Sequence, residues 1–136
     1  MGFFVFYVVI FIMNSSYILI LLIAVGIFLI SRGNSNIPKI SSEEGLGLLN
    51  DKDYKFLDVR TDSEHSNGHI PNSFHIPLQE LQSRISEIEP MKDKNIIVYC
   101  RSGARSRTVT KTLLKNGFKV FNLSGGIMSW KGKLKN

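Results

Sequence analysis

No charged residue precedes Arg32, and this divides the chain before any fold is considered. Residues Phe3 to Met13 are apolar apart from the Tyr7 hydroxyl, and Asn14-Ser15-Ser16 is a polar break. Tyr17 to Ile30 is apolar again apart from the tyrosine hydroxyl. A helix needs roughly 20 apolar residues to cross a bilayer. Neither run supplies that alone, so the expectation is one transmembrane helix joining the second run to part of the first. This makes residues 1–31 an anchor that meets the membrane through residues 3–30. A start at Met13, leaving a compact anchor behind a short polar cap, is an open alternative. A cleaved secretory signal would want a positive n-region and a small-residue cleavage site. No Lys or Arg precedes Arg32, and Ala24-Val25-Gly26 is the nearest approach to such a site. A buried core helix would need more partner surface than a hundred-residue domain offers. Arg32 and Lys39 follow the span, and the positive-inside tendency then places the domain after it on the cytoplasmic side.

Residues 32–36 read as a tether and residues 37–136 as one domain, long enough for a single hydrophobic core. The net charge is +6, with nine Lys or Arg and no acidic residue from Arg101 onward; all acidic residues lie between Glu43 and Asp93. A basic C-terminal third suits small anions or an anionic surface. No interleaving of aromatic and basic residues points to nucleic acid, and none is expected as a partner. The single cysteine, Cys100, excludes an internal disulfide. His65, His69 and His75 cluster in sequence, but Gly68 and Pro71 interrupt any helix that would align the first two. They are expected to be ordinary loop and strand-edge histidines, with no metal and no cofactor.

Hydrophobic patterning then alternates strand and helix. Ser42 is placed to cap a helix running to Leu49; Lys55–Val59 and Phe74–Ile76 read as strands. Leu78, Leu81, Ile85 and Ile88 have helical spacing, with Pro90 as the stop. Asn95–Tyr99 is a strongly apolar strand, Ser106–Asn116 a helix closed by Gly117, and Val120–Leu123 a last strand. This order predicts an α/β domain: a mostly parallel central sheet with helices on both faces. Sites in such sheets form at the carboxyl ends of strands, which is where Cys100 falls.

The segment after that strand reads Cys100-Arg101-Ser102-Gly103-Ala104-Arg105-Ser106. A strand entering and a helix leaving force a tight loop, and its small residues let backbone N–H groups converge on an anion. The same donors favour thiolate over thiol at Cys100, and the thiolate is the nucleophile. Arg101 and Arg105 add fixed positive charge. A lone cysteine is ordinarily one more small buried residue; its position between strand, glycine-bearing loop and helix argues for chemistry.

These residues resemble the active-site loop of the rhodanese family, and the resemblance runs over about residues 37 to 132. Asp58-Val59-Arg60, Glu64, Gly68-His69-Ile70-Pro71, Ile76-Pro77 and Leu123-Ser124-Gly125-Gly126 with Trp130 match the family pattern in order. Asn72-Ser73 stands where Gly-Ala is usual, and His75 where Asn is frequent. The resemblance implies a sulfurtransferase in which Cys100 takes sulfur from thiosulfate or a persulfide donor and passes it to an external thiol or cyanide. Residues Arg101, Ser102, Gly103, Ala104, Arg105 and Ser106 would bind the anionic substrate, with Arg105 and Arg101 at the oxyanion end. Related phosphatases carry one more residue between Cys and Arg, whereas Cys100 through Arg105 has the six-residue sulfurtransferase length. Asp58 and Arg60 are expected to support the site through a salt bridge, Trp130 to pack in the core, and His69 to anchor its turn. Arg107, Lys111 and Lys115 form a basic stripe, either solvated or facing lipid headgroups. An idle rhodanese-type binding module, tethered to the membrane, is the alternative to an enzyme.

Overall fold

The computed structural model describes Gly2, residues 16–28 and residues 36–136. The chain divides into two units, Met1–Asn36 and Ile37–Asn136. In the first, residues 16–28 are helical. Among the described residues no helix is long and apolar enough to cross a membrane. The remainder of the expected 3–30 anchor lies outside the described residues, as does the 32–35 part of the tether.

In the second unit five strands form one sheet: β1 (Lys39–Ile40), β2 (Tyr54–Asp58), β3 (Phe74–His75), β4 (Asn95–Tyr99) and β5 (Lys119–Leu123). Their order is β1-β5-β4-β2-β3, and every described strand pairing is parallel. The crossovers carry α1 (Ser42–Gly47), α2 (Asp62–Ser66), a run centred on α3 (Leu81–Arg84) and α4 (Ala104–Lys115). Alternation along β4 explains the two-faced core. Ile96, Val98 and Cys100 join Val109 and Leu113 of α4 on one face, while Ile97 and Tyr99 join Phe56 and Leu123 on the other. The strand is buried on both faces, so its sequence reads as an unbroken apolar run.

Several element boundaries differ from the sequence reading. Ser41, not Ser42, caps α1; its hydroxyl accepts from the Glu44 amide while Glu44 answers to the Ser41 amide. Ser42 is instead buried and accepts from the Lys131 amide at 2.8 Å. The helix ends at Gly47 rather than Leu49. The expected helix from Leu78 to Ile88 is a relay of 3-10 turn (Leu78–Glu80), α3, and 3-10 turn (Ile85–Met91). Pro90 lies inside that last turn rather than ending it, because its fixed φ is compatible with 3-10 winding. Helix α4 opens two residues earlier than expected, at Ala104, because Gly103 turns the chain with φ +101°.

Candidate active site

Strand β4 is buried from Ile96 to Tyr99 and carries the chain straight to Cys100, whose side chain continues the face of Ile96 and Val98. Three residues separate it from α4. The Gly103 amide donates to Cys100 Sγ at 3.1 Å and the Ser106 hydroxyl donates at 3.4 Å. Burial pushes the thiol up, but these two donors with the Ser106 and Ser102 amides outweigh it and hold the thiol below its ordinary range.

The loop is held from behind by the turn after β5. Ile127 and Met128 amides donate to the carbonyls of Cys100 and Arg101 at 2.8 and 3.1 Å. Gly125 and Gly126 have φ of +73° and +59°, and a Cβ on Gly126 would lie 2.5 Å from both carbonyl oxygens. The Gly-Gly pair is therefore the mould for the cysteine loop. Beside it, Lys39, Ser102, Arg107, Asn122 and Gly125 line a cavity of about 360 Å³.

Of the two loop arginines, Arg101 is exposed. Arg105 makes a bidentate pair with Glu64 of α2, at 2.7 and 2.8 Å. Glu64 keeps Arg105 firmly protonated; burial opposes this, and the Cys100 thiolate adds to it. No local pattern announces this partnership, since the two residues stand 41 positions apart and only the motif resemblance singles out Glu64. Ala104 is exposed at the start of α4, and Ser106 is fully buried.

Asp58 and Arg60 pair with each other in the interior, Nη2 to Oδ2 at 2.7 Å, and Arg60 also donates to the Gly68 carbonyl at 2.8 Å. Burial opposes the Asp58 charge, but Arg60 and His65 hold its carboxyl below the usual range. The pair braces the loop carrying Gly68-His69-Ile70-Pro71 through the Arg60 bond to the Gly68 carbonyl. Tyr99, next to the cysteine, accepts from the Ile70 amide at 3.1 Å and donates to Ser73 at 3.0 Å. Trp130 meets Phe56 edge-on, with centroids 5.6 Å apart.

The histidines depart most from expectation. Although α2 ends at Ser66, the returning chain stacks His69, His65 and His75, with adjacent centroids 4.0 and 4.1 Å apart. His65 Nδ1 pairs with Asp58, His69 Nδ1 with the His65 carbonyl, and His75 Nε2 with the Arg60 carbonyl. Stacking turns ring faces, not lone pairs, toward one another, and among the described residues no group of three potential ligands could hold a metal ion. On α4, Arg107 and Lys115 are exposed and Lys111 is half-buried.

The comparisons with known proteins agree with this geometry. A sulfurtransferase of Allochromatium vinosum is 39% identical over 84 residues, covering 61% of this chain and 77% of that protein. A tRNA uridine(34) hydroxylase of Yersinia enterocolitica is 33% identical over 93 residues, but only 27% of its length is covered. Among solved structures, a rhodanese-related protein of Thermoplasma volcanium superposes with a TM-score of 0.67 at 31% identity, covering 72% of this chain and 97% of that one. The model of the rhodanese-like domain matches residues 41–133, which include the cysteine loop, its glycine mould and the Asp58–Arg60 brace. On that match, the chain belongs to the rhodanese-like domain family.

Proposed function

We propose that the chain is a sulfurtransferase that carries a sulfane sulfur as a persulfide on Cys100. The observation carrying this reading is the pair of hydrogen bonds that Gly103 and Ser106 donate to the Cys100 sulfur. They stabilise negative charge on Sγ, and after sulfur transfer the same N–H and O–H groups face a persulfide anion. With thiosulfate as donor, the Cys100 thiolate attacks the outer sulfur. The S–S bond of the donor breaks and sulfite leaves with the bonding pair: Cys–S⁻ + S₂O₃²⁻ gives Cys–S–S⁻ + SO₃²⁻. A persulfide donor releases its thiolate in the same way. An external thiol or cyanide then attacks the terminal sulfur and Cys100 leaves as thiolate. The acceptor is external because the chain has no second cysteine. The reading takes no nucleic-acid partner, since aromatic and basic residues do not interleave along the chain.

Intact mass of the full chain after incubation with thiosulfate, then with a hydropersulfide, tests it. A gain of about 32 Da, reversed by dithiothreitol and missing from Cys100→Ser, is the expected result. No gain with either donor on folded protein overturns it. Cys100 is only 1% exposed, which favours a second reading, an idle binding module. Alkylation near neutral pH at the rate of an unperturbed thiol would support that module.

The domain is proposed to be tethered to a membrane by residues 3–30 and to face the cytoplasm. The support is the absence of charge before Arg32 and the position of Arg32 and Lys39 after the apolar run. Full-length chain that stays with membranes through an alkaline carbonate wash is the expected result; release into the wash removes the anchor from the reading.

A further inference from the structure

We propose that Glu64 is a specificity-determining residue that biases the Cys100 site against dianionic sulfur donors and toward donors of lower charge. The inference rests on the sulfur-transfer reading above and deepens it by naming the donor class.

The residues of the loop, Cys100 to Ser106, include no acid. Taken alone, they present a cysteine flanked by two arginines, a site that should welcome a dianion such as thiosulfate. Helix α2 changes that balance by bringing Glu64 against Arg105. Both terminal guanidinium nitrogens of Arg105 are used, Nη1 on Oε2 and Nη2 on Oε1. A two-pronged pair of this kind satisfies the fork that would otherwise grip a sulfonate.

Glu64 is itself held in place. Its Oε2 accepts from the Thr61 amide at 3.2 Å and the Thr61 hydroxyl at 3.1 Å, and the Glu64 amide donates back to Thr61. The carboxylate cannot swing away without opening the N-terminal capping box of α2. The Arg105 guanidinium, against burial and with help from the Thr61 amide and hydroxyl, holds its carboxyl down at about 2, so the negative charge is present at every working pH. Glu64 and Arg105 thus form a neutral unit beside a thiolate. That leaves exposed Arg101 as the loop cation with no ion pair among the described residues. A dianion approaching a thiolate there meets less positive charge than the loop composition suggests. A monoanionic thiosulfonate or a persulfide loses less by this neutralisation, because Coulomb energy scales with the charge brought in.

The test compares two donors that deliver the same sulfane sulfur. Thiosulfate is a dianion and releases sulfite; benzenethiosulfonate is a monoanion and releases benzenesulfinate, by Cys–S⁻ + PhSO₂S⁻ giving Cys–S–S⁻ + PhSO₂⁻. Rates of Cys100 persulfidation are measured on the full chain and on Glu64→Gln and Glu64→Asp variants. Gln preserves the capping box, since it is an accepted residue at that position, but removes the charge. Glu64→Gln is expected to raise kcat/KM for thiosulfate about tenfold and that for benzenethiosulfonate about threefold, shifting the ratio of the two. Glu64→Asp, which keeps the charge, should keep the wild-type ratio. Adding Arg105→Gln to Glu64→Gln should remove the gain on thiosulfate. Both donors are read on the same molecules, so partial unfolding moves both rates together and leaves the ratio alone. A ratio unchanged in Glu64→Gln overturns the proposal while leaving sulfur transfer standing. Persulfide formation with neither donor in the wild-type chain overturns both.

Discussion

The carbonyl oxygen of Cys100 lies where a side chain on Gly126 would have to begin. A Cβ built on Gly126 comes within 2.5 Å of it and of the Arg101 carbonyl, while the neighbouring Ile127 amide donates to the Cys100 carbonyl at 2.8 Å. The nucleophile loop and the turn after β5 are therefore one construction, and the closest approach in it tolerates only hydrogen.

Gly126→Ala should then damage the site through the backbone. Both the positive φ of +59° and the collision act against alanine. The expected cost is about 2–4 kcal/mol in a denaturant melt, with slower alkylation of Cys100 in whatever folds. Wild-type stability and reactivity in this variant would show that the loop does not depend on the turn.

Ser106→Ala tests the electrostatics of the thiol. Ser106 is fully buried and its hydroxyl donates to Sγ at 3.4 Å. Losing that bond leaves burial less opposed, so the Cys100 pKa should rise. At neutral pH the alkylation rate is expected to fall about 2- to 10-fold, recovering at alkaline pH as thiolate forms. A pH–rate profile that does not move upward would assign the lowering to the amides alone.

His65, in the middle of the stack, makes stability fall on mild acidification. Burial, followed by the nearby His75 and His69, holds His65 below its ordinary 6.5, although Asp58 pulls the other way. The unfolded chain therefore binds the proton more readily than the folded one. This contribution is intact above pH 6.5 and is lost as pH falls from there through the lower folded value. His65→Gln should flatten the stability curve in that window. The carboxylates of Asp58 and Glu64, both held low, act only in more acidic solution. Chemical denaturation between pH 7 and 5 measures the slope.

Asn72 offers a prediction of the opposite sign. It is the one described residue other than glycine with positive φ, at +61°. Asn72→Gly should be neutral or stabilising by about 0.5 kcal/mol, and Asn72→Val destabilising by about 1–2 kcal/mol, in thermal melts. Equal melting of the two variants would remove the backbone explanation.

The departures from the rhodanese pattern become intelligible at the same places. Asn at position 72 replaces Gly where the backbone needs a left-handed residue, and Asn adopts that conformation more readily than other side chains. Ser73 accepts from the Tyr99 hydroxyl, and His75 ends the imidazole stack while binding the Arg60 carbonyl. Asn72 is answered by its own backbone conformation, whereas Ser73 and His75 are answered by contacts with residues distant in the sequence.

Features under local chemical control are legible in the chain before it folds. The apolar run ending at Tyr99 reads as a strand, and the structure buries Ile96 to Tyr99 and brings Cys100 out at its carboxyl end. Gly103 had to turn the chain, and the short, small-residue loop had to aim amides at sulfur. Short-range steric limits and unbroken apolar runs act within a few residues, and a sequence displays them directly. Tertiary structure alone decided the partners across the fold: Glu64 on Arg105, Gly126 beneath Cys100, and three imidazoles in one stack. These join segments that become neighbours only when parallel strands fold back through their crossovers. The charge felt at Cys100 is a sum over such neighbours, so it belongs to the folded molecule.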